Sequence, residues 1–513
     1  MPDIHAPDGS VVQMAESPCA LLKAAADLSG DHPALVMGNI TLSYGRFDQA
    51  VDALAQQFYD AGANGRTIAM LLPNSIELCI ALFAAQRCGA MSCTLNPDYS
   101  ARELKPILED ADPVLILVTQ ASAAAVSHHA KQSIMGGDTN AWLSALQGQS
   151  AYAGPLPNPG AIASLQYTGG TTGRAKGVML THASIAANIA QREAFLPTAP
   201  EGEVIVCIMP LFHVFAVAMC LHLAVRARST LVLLPRYRPD WLLETIAMHK
   251  VTLFPAGPTV FQSLLQYDGL DQKKLKTVTA AFSGSAPLSA ATLRAWEAAT
   301  GVPIYEGYGQ TEAGPVLTYH SPHFPTKQGS VGPSLPLTEV EIVDLETGDT
   351  ALGSGKVGEI RARGPQIMQG YRNLREETDS TLRHGWLYTG DIGRLDDAGY
   401  LFIEDRKKDL VISGGYNIYP REIDEALLSH PGVIEAAAIG VPDSYRGEVI
   451  EAFVVLKNGI GIDDIDAHSA ETLVKYKRPA RFFIVTELPK TTVGKIDKKS
   501  LKAARLEEMN HVA

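Results

Sequence analysis

Cysteine is scarce and scattered in this sequence: six among 513 residues (Cys19, Cys79, Cys88, Cys93, Cys207 and Cys220), with no C-x-x-C pair. That spacing argues against a disulfide framework and a structural zinc site, and predicts buried free thiols in a reduced compartment. An excess of positive charge is missing too. Lys and Arg number 43 against 55 Asp and Glu, a net charge of -12, which speaks against nonspecific binding to nucleic acid or an anionic membrane surface. A polyanionic ligand would therefore need a local basic pocket. The apolar stretch from Val214 to Val225 is broken by His222 and is too short to span a bilayer. The opening MPDIHAPDGS has no basic n-region, so the expected location is cytoplasmic. No repeat of about 20 to 50 residues recurs, which leaves a solenoid unsupported.

What is present is apolar content sufficient for several cores, 46% hydrophobic residues over a length that implies about two to four structural units. The first four hundred residues alternate β-branched runs with helical patterns, as in TIAMLLP followed by NSIELCIALFAAQRCG, and KTVTAAF followed by PLSAATLRAWEAA. This alternation predicts an α/β chain whose parallel sheets are covered by helices. GPLPNPG, from Gly154 to Gly160, reads as a loop or hinge. The charged segment EDRKKD, Glu404 to Asp409, follows the strand-like GYLFIE and marks the expected boundary: a large N-terminal domain over 1–407 and a small α+β C-terminal domain over 408–513.

The stretch SLQYTGGTTGRAKG, Ser164 to Gly177, places glycines, hydroxyls and a lysine directly after an apolar run. Gly169, Gly170 and Gly173 let backbone N–H groups approach an anion, Thr168, Thr171 and Thr172 add donors, and Lys176 adds charge. This loop suits a phosphate. It is not a Walker P-loop, because position 175 is alanine and Gly177 stands where a metal-binding Ser or Thr is required.

Four more stretches carry a specific signal: FSGSAPL (282–288), YEGYGQTEAGP (305–315), GWLYTGD (385–391) and PKTTVGK (489–495). With YTGGTTGRAKG, PLFHVF and DRKKDLVISGGYNI, in this order, they resemble the motifs of the acyl-adenylate-forming superfamily over nearly the whole chain. The resemblance implies the adenylate-forming fold, with a mobile C-terminal domain. It also implies a two-step reaction using ATP, Mg²⁺ and coenzyme A: a carboxylate attacks the α-phosphate to give acyl-AMP and pyrophosphate, then a thiol displaces AMP. Both reactants of the first step are anions, and two unit charges about 4 Å apart repel by roughly 4 kcal/mol at an effective dielectric of about 20. Groups that cancel this charge are therefore expected at the site.

Carried over residue by residue, the resemblance makes Lys495 the adenylation lysine, Glu312 the Mg²⁺-holding carboxylate and Thr311 a donor to the α-phosphate. Tyr308 is the face for adenine, beside Gly284, Ser285, Ala286, Glu306 and Gly307. Asp391 grips the ribose hydroxyls, Arg406 lies at the edge of the nucleotide site, and Lys408 is the hinge. Gly414 and Gly415 line the coenzyme A entry, and His213 contacts the carboxylate end of the acid. The apolar wall of Phe215, Val217, Pro315 and Val316, with Gly309 lacking a side chain to plug the pocket, predicts an uncharged acid larger than acetate, alkyl or aryl.

Two departures from the family pattern, Gly169 where many relatives have Ser and Arg174 where many have Pro, affect the loop alone. Coenzyme A is the expected acceptor. The rival readings are a fatty-acyl-AMP ligase loading a carrier protein in trans and a noncatalytic adenylate-binding protein. PKTTVGK also resembles sites modified by lysine acetyltransferases, which makes Lys495 a candidate for acetylation. No motif specifies an oligomeric state.

Overall fold

The computed structural model describes residues 3–128, 131–168, 175–491 and 494–512. Strand Thr67–Leu71 is buried at every position and so needs cover on both faces. It lies inside a seven-stranded sheet of the described residues, parallel from Ile162–Thr168 through Met91–Thr94 to Pro113–Val118 and Gln132–Ile134. Lys176–Thr181 and Gly370–Tyr371 extend one edge in antiparallel fashion. A second, eight-stranded sheet has a parallel centre that includes Val204–Cys207, Leu253–Ala256, Ala280–Ser283 and Ile304–Gly309, and Val316–Tyr319 closes one edge antiparallel.

Helix Ile76–Arg87 joins the two sheets. The Ser75 hydroxyl caps it by accepting from Leu78 N at 3.1 Å, and every one of its residues is buried. Its apolar side chains share one core with Ile68 and Leu117 of the first sheet and Ile205 and Leu231 of the second, and its buried Arg87 is paired with Asp48 and Asp52. All six cysteines are free and buried. Among the described residues, no helix is long and apolar enough to cross a membrane.

The expectation of parallel sheets fails for residues 339–406. Glu339–Val343, Gly358–Arg363, Trp386–Leu395 and Leu401–Arg406 form an antiparallel sheet. The physical reason lies in the connections: tight turns pinned by Asp344 and Asp396, whose carboxylates accept backbone N–H groups, replace crossover helices.

After the charged turn Lys407–Asp409 comes a further five-stranded sheet, in which Val433–Asp443 and Gly447–Leu456 form a long hairpin. Helices Pro420–Leu428, Ile462–Thr472 and Lys498–Val512 accompany it, and Val411, Ile423, Ala452 and Ile465 give it a core of its own.

Candidate active site

Strands Ala280–Ser283 and Ile304–Gly309 run parallel, with Ser283 opposite Glu306, and their carboxyl ends lead through FSGSAPL and GQTEAG. The carboxyl ends of such strands are where open α/β sheets hold ligands. A side chain at Gly284 would come within 2.6 Å of the Phe215 ring, so backbone and ring pack directly. The Glu306 carboxylate accepts from Leu288 N at 3.0 Å and ties the 284–288 segment to the neighbouring strand; burial pushes this carboxyl up to about 7.

On one flank, the Tyr308 hydroxyl donates to Asp391 Oδ2 at 2.7 Å. Asp391 faces Arg406 across the antiparallel ladder, with Arg406 Nε 3.8 Å from Oδ1. Its backbone N–H donates to Thr389 Oγ1 at 3.1 Å. Desolvation raises the Asp391 carboxyl, while Arg406 and the Tyr308 hydroxyl pull against that rise. The antiparallel sheet thus delivers Asp391 and Arg406, from two different motifs, to the side of Tyr308.

On the other flank, Thr311 and Glu312 form a 3-10 turn after the strand, and the Glu312 backbone carbonyl accepts from Met368 N at 2.9 Å. The Tyr371 hydroxyl donates to Glu312 Oε1 at 2.8 Å, and the Lys176 ammonium sits 4.9 Å from the centre of the Tyr371 ring. Desolvation raises the Glu312 carboxyl, and Lys176 is among the groups opposing this. Strand pairing explains the arrangement: Lys176 lies opposite Thr168, and its strand pairs in turn with Gly370–Tyr371. Gly169, Gly170, Thr171, Thr172 and Gly173, between those two paired ends, lie outside the described residues.

Lys495 closes the front. A side chain on its neighbour Gly494 would meet the Thr259 hydroxyl at 3.0 Å, so this turn of the C-terminal unit packs on helix Pro258–Leu265. Desolvation, then Arg406, lowers the Lys495 ammonium to about 8, with Asp391 acting in opposition. Desolvation, then Lys495, depresses His213 to about 3. His213 is therefore a neutral imidazole. Its Nδ1 accepts from Phe215 N at 3.2 Å, which leaves the proton on Nε2.

The Asn74 side chain, not singled out from sequence, holds the segment before His213: it donates to the carbonyls of Met209 (3.0 Å) and Leu234 (3.2 Å) and accepts from Leu211 N (2.7 Å). Phe215, Val217 and Val316 are buried, and Val316 exchanges two hydrogen bonds with Asn188.

The Pro315 carbonyl occupies the place of the side chain that Gly309 lacks, as the Tyr319 ring does for Gly307. Close packing against adjacent segments requires glycine at both positions. Gly414 and Gly415 form the tip of the hairpin between Val411–Ser413 and Tyr416–Ile418, with φ of +56° and +83°, as a two-residue primed turn requires. They are exposed, as is Lys408. Beside Lys408, the Lys407 ammonium binds the buried Glu359 carboxylate at 2.7 Å.

Sequence reasoning missed Tyr371, Asn74 and Glu359, which lie outside the quoted motifs, and Asp405, which opens the quoted DRKKDLVISGGYNI, because each acts through a contact with a residue far along the chain. The GY dipeptide ahead of Arg372 carries no local signal of its contact with Glu312.

Comparison with known proteins gives a consistent picture. The AMP-binding enzyme family matches residues 22–372 and its C-terminal domain matches 422–495. A long-chain-fatty-acid–CoA ligase of Bacillus subtilis (strain 168) is 45% identical over 343 residues, 66% of this chain and 61% of the relative. The chain thus spans less than two thirds of that relative. 4-Coumarate–CoA ligase 5 of Oryza sativa subsp. japonica is 34% identical over 90% of this chain and 89% of its own. The crystal structure of ATP-bound MatB from Rhodopseudomonas palustris superposes with a TM-score of 0.90 at 31% identity, covering 96% of this chain and 99% of MatB; for apo MatB, with the same coverage, the score is 0.80.

Proposed function

This chain belongs to the AMP-binding enzyme family as an AMP-forming acid–CoA ligase, and on that premise we propose that it activates an uncharged organic acid larger than acetate, a medium- or long-chain fatty acid or an aryl acid, and passes the acyl group to coenzyme A. In the first step the carboxylate oxygen bonds to the α-phosphorus of ATP and the bond to pyrophosphate breaks. In the second the thiol of coenzyme A attacks the acyl carbon, loses its proton and expels AMP.

One observation carries this reading: the Lys495 ammonium stands within electrostatic reach of His213, Asp391 and Arg406, where acid, ribose and phosphate would meet. Lys495 offsets the charge built up as the two anions join. Neutral His213 offers its Nε2 proton to the acid without adding a second cation. Tyr308 is the face for adenine, with Gly284, Ser285, Ala286, Glu306 and Gly307 beside it. Asp391 takes the ribose hydroxyls, Arg406 borders them, and Thr311 donates to the α-phosphate. Lys176 and the loop from Thr168 take the pyrophosphate end. Phe215, Val217, Pro315 and Val316 wall the acid's tail.

Glu312 is the residue that would hold Mg²⁺, which neutralises phosphate charge when bound. A single desolvated carboxylate suits an ion held mostly by phosphate oxygens and water, and among the described residues no cluster of three or more His, Cys, Asp or Glu side chains offers an all-protein cage.

For the second step, the unit from residue 408 onward turns about Lys408, withdraws Lys495 and presents the Gly414–Gly415 tip to the thiol's path. The nearer likeness to ATP-bound than to apo MatB agrees with a pose suited to adenylation. A lysine held near 8 has more free amine than an ordinary one, which favours acetylation of Lys495 by an acetyltransferase. A panel of acids graded in length and aromaticity, assayed for pyrophosphate and for AMP with and without coenzyme A, tests the assignment. Failure of every acid to yield pyrophosphate would refute it.

A further inference from the structure

Asp405 is buried, lies in strand Leu401–Arg406, and pairs with Ile392 of the antiparallel sheet. Its carboxylate reaches beyond that sheet. Oδ1 accepts from Arg406 N at 2.7 Å, while Oδ2 accepts from Arg421 N at 2.9 Å. Arg421 is the second residue of helix Pro420–Leu428, and the helix's own capping residue, Tyr419, makes no side-chain bond to its first turn. First-turn N–H groups have no partner within a helix, and a carboxylate placed there both accepts one and faces the positive end of the dipole. The helix in the C-terminal unit is therefore capped by a residue from the other side of Lys408.

A second link leads onward to the site. Asp424, on the same helix, binds the Lys498 ammonium at 2.5 Å and accepts from Ala438 N at 2.6 Å. Lys498 opens the C-terminal helix just after Lys495. A continuous path thus runs from Asp405 through the capped helix and the Asp424–Lys498 pair to the segment that presents Lys495.

We propose that Asp405 is a positioning residue for adenylation: by capping helix Pro420–Leu428 it holds the C-terminal unit in the pose that places Lys495 in the site. This rests on the two-step reading above. A turn about Lys408 carries Arg421 away and leaves Asp405 behind, so the cap exists in one pose only. Arg421, Glu422 and Asp424 move together with the unit, whereas Asp405 remains in its ladder beside Asp391.

The test separates the half-reactions in the full-length enzyme. Pyrophosphate release is measured with ATP, Mg²⁺ and the best acid of the panel; thioester formation is measured from synthetic acyl-AMP and coenzyme A. In Asp405→Ala the ratio of the first rate to the second should fall about fivefold, the factor that a missing N-cap contributes. Asp405→Asn, whose single amide oxygen can accept from Arg421 N only by turning its NH2 toward Arg406 N, should return the ratio part of the way, to a value between those of Asp405→Ala and wild type. Adding Tyr419→Ser to Asp405→Ala gives the helix a cap of its own in both poses, and should restore the melting temperature while leaving the ratio low. Should Asp405→Ala alone not fold, Asp405→Asn and the double variant carry the same comparison. Equal losses in both half-reactions, or an unchanged ratio in a folded variant, would overturn the role of Asp405. Absence of pyrophosphate from wild type would instead overturn the reaction assigned to the site.

Discussion

Replacing Lys495 with methionine keeps most of the length of the unbranched side chain and removes its charge. The carboxylate and the phosphate it serves both carry negative charge, and a unit-charge pair about 4 Å apart interacts by roughly 4 kcal/mol at an effective dielectric of about 20. Loss of one preorganised donor from a developing oxyanion costs about 2.7 to 4 kcal/mol, or roughly 100- to 1,000-fold in kcat. Both estimates agree. Adenylation by Lys495→Met should therefore fall roughly 100- to 1,000-fold, measured as pyrophosphate release at saturating acid. Thioester formation from synthetic acyl-AMP should stay within about threefold of wild type, because that step uses the other pose.

The wild-type pH profile supplies an independent check. With Lys495 lowered to about 8 by desolvation and Arg406, the free enzyme loses the essential proton as pH rises through that value. The kcat/KM for ATP should fall above about pH 8, by roughly tenfold per unit, and Lys495→Met should lack this limb. Equal damage to both half-reactions, or an alkaline limb that survives the substitution, would refute the reasoning.

Three further outcomes follow from the geometry. Tyr371→Phe removes the hydroxyl bond to Glu312 but keeps the ring beneath Lys176; a hydrogen bond to a charged group contributes about 1.5 to 3 kcal/mol, so unfolding stability should drop by about that amount in a denaturant titration. Gly309→Ala drives a methyl group into the Pro315 carbonyl and should lower unfolding stability by about 1 to 3 kcal/mol in a denaturant titration; an unchanged midpoint would show that the strands are not packed as described. His213, depressed to about 3, should contribute no ionisation between about pH 5 and 8, so His213→Gln should change rates without changing the acid side of the pH profile. A limb near pH 6.5 that disappears in this variant would show that His213 is charged.

The order of motifs made the family legible in the sequence, because each motif is a run of glycines, hydroxyls and carboxylates at short spacings along the chain. The two parallel sheets were legible for a similar reason, since strand-then-helix alternation is a local pattern. The sheet over 339–406 was not: its turns depend on Asp344 and Asp396 side chains folding back on their own backbones, a feature that composition does not separate from any polar loop. Gly309 carries a packing constraint that the sequence does not display. A glycine beside a pocket motif reads as vacant space, yet here the backbone of a neighbouring strand takes that space. Tyr371 and Asp405 lay beyond reach because their partners, Glu312 and Arg421, come from other segments of the chain.

The bond between Lys407 and the buried Glu359 bears on the proposed turn about Lys408. With one residue moored to the sheet and its neighbour exposed, torsional freedom begins abruptly instead of being spread along a slack tether. In the turn proposed about Lys408, a pivot of that kind would trace a repeatable arc and return the same nitrogen to the same spot, turnover after turnover.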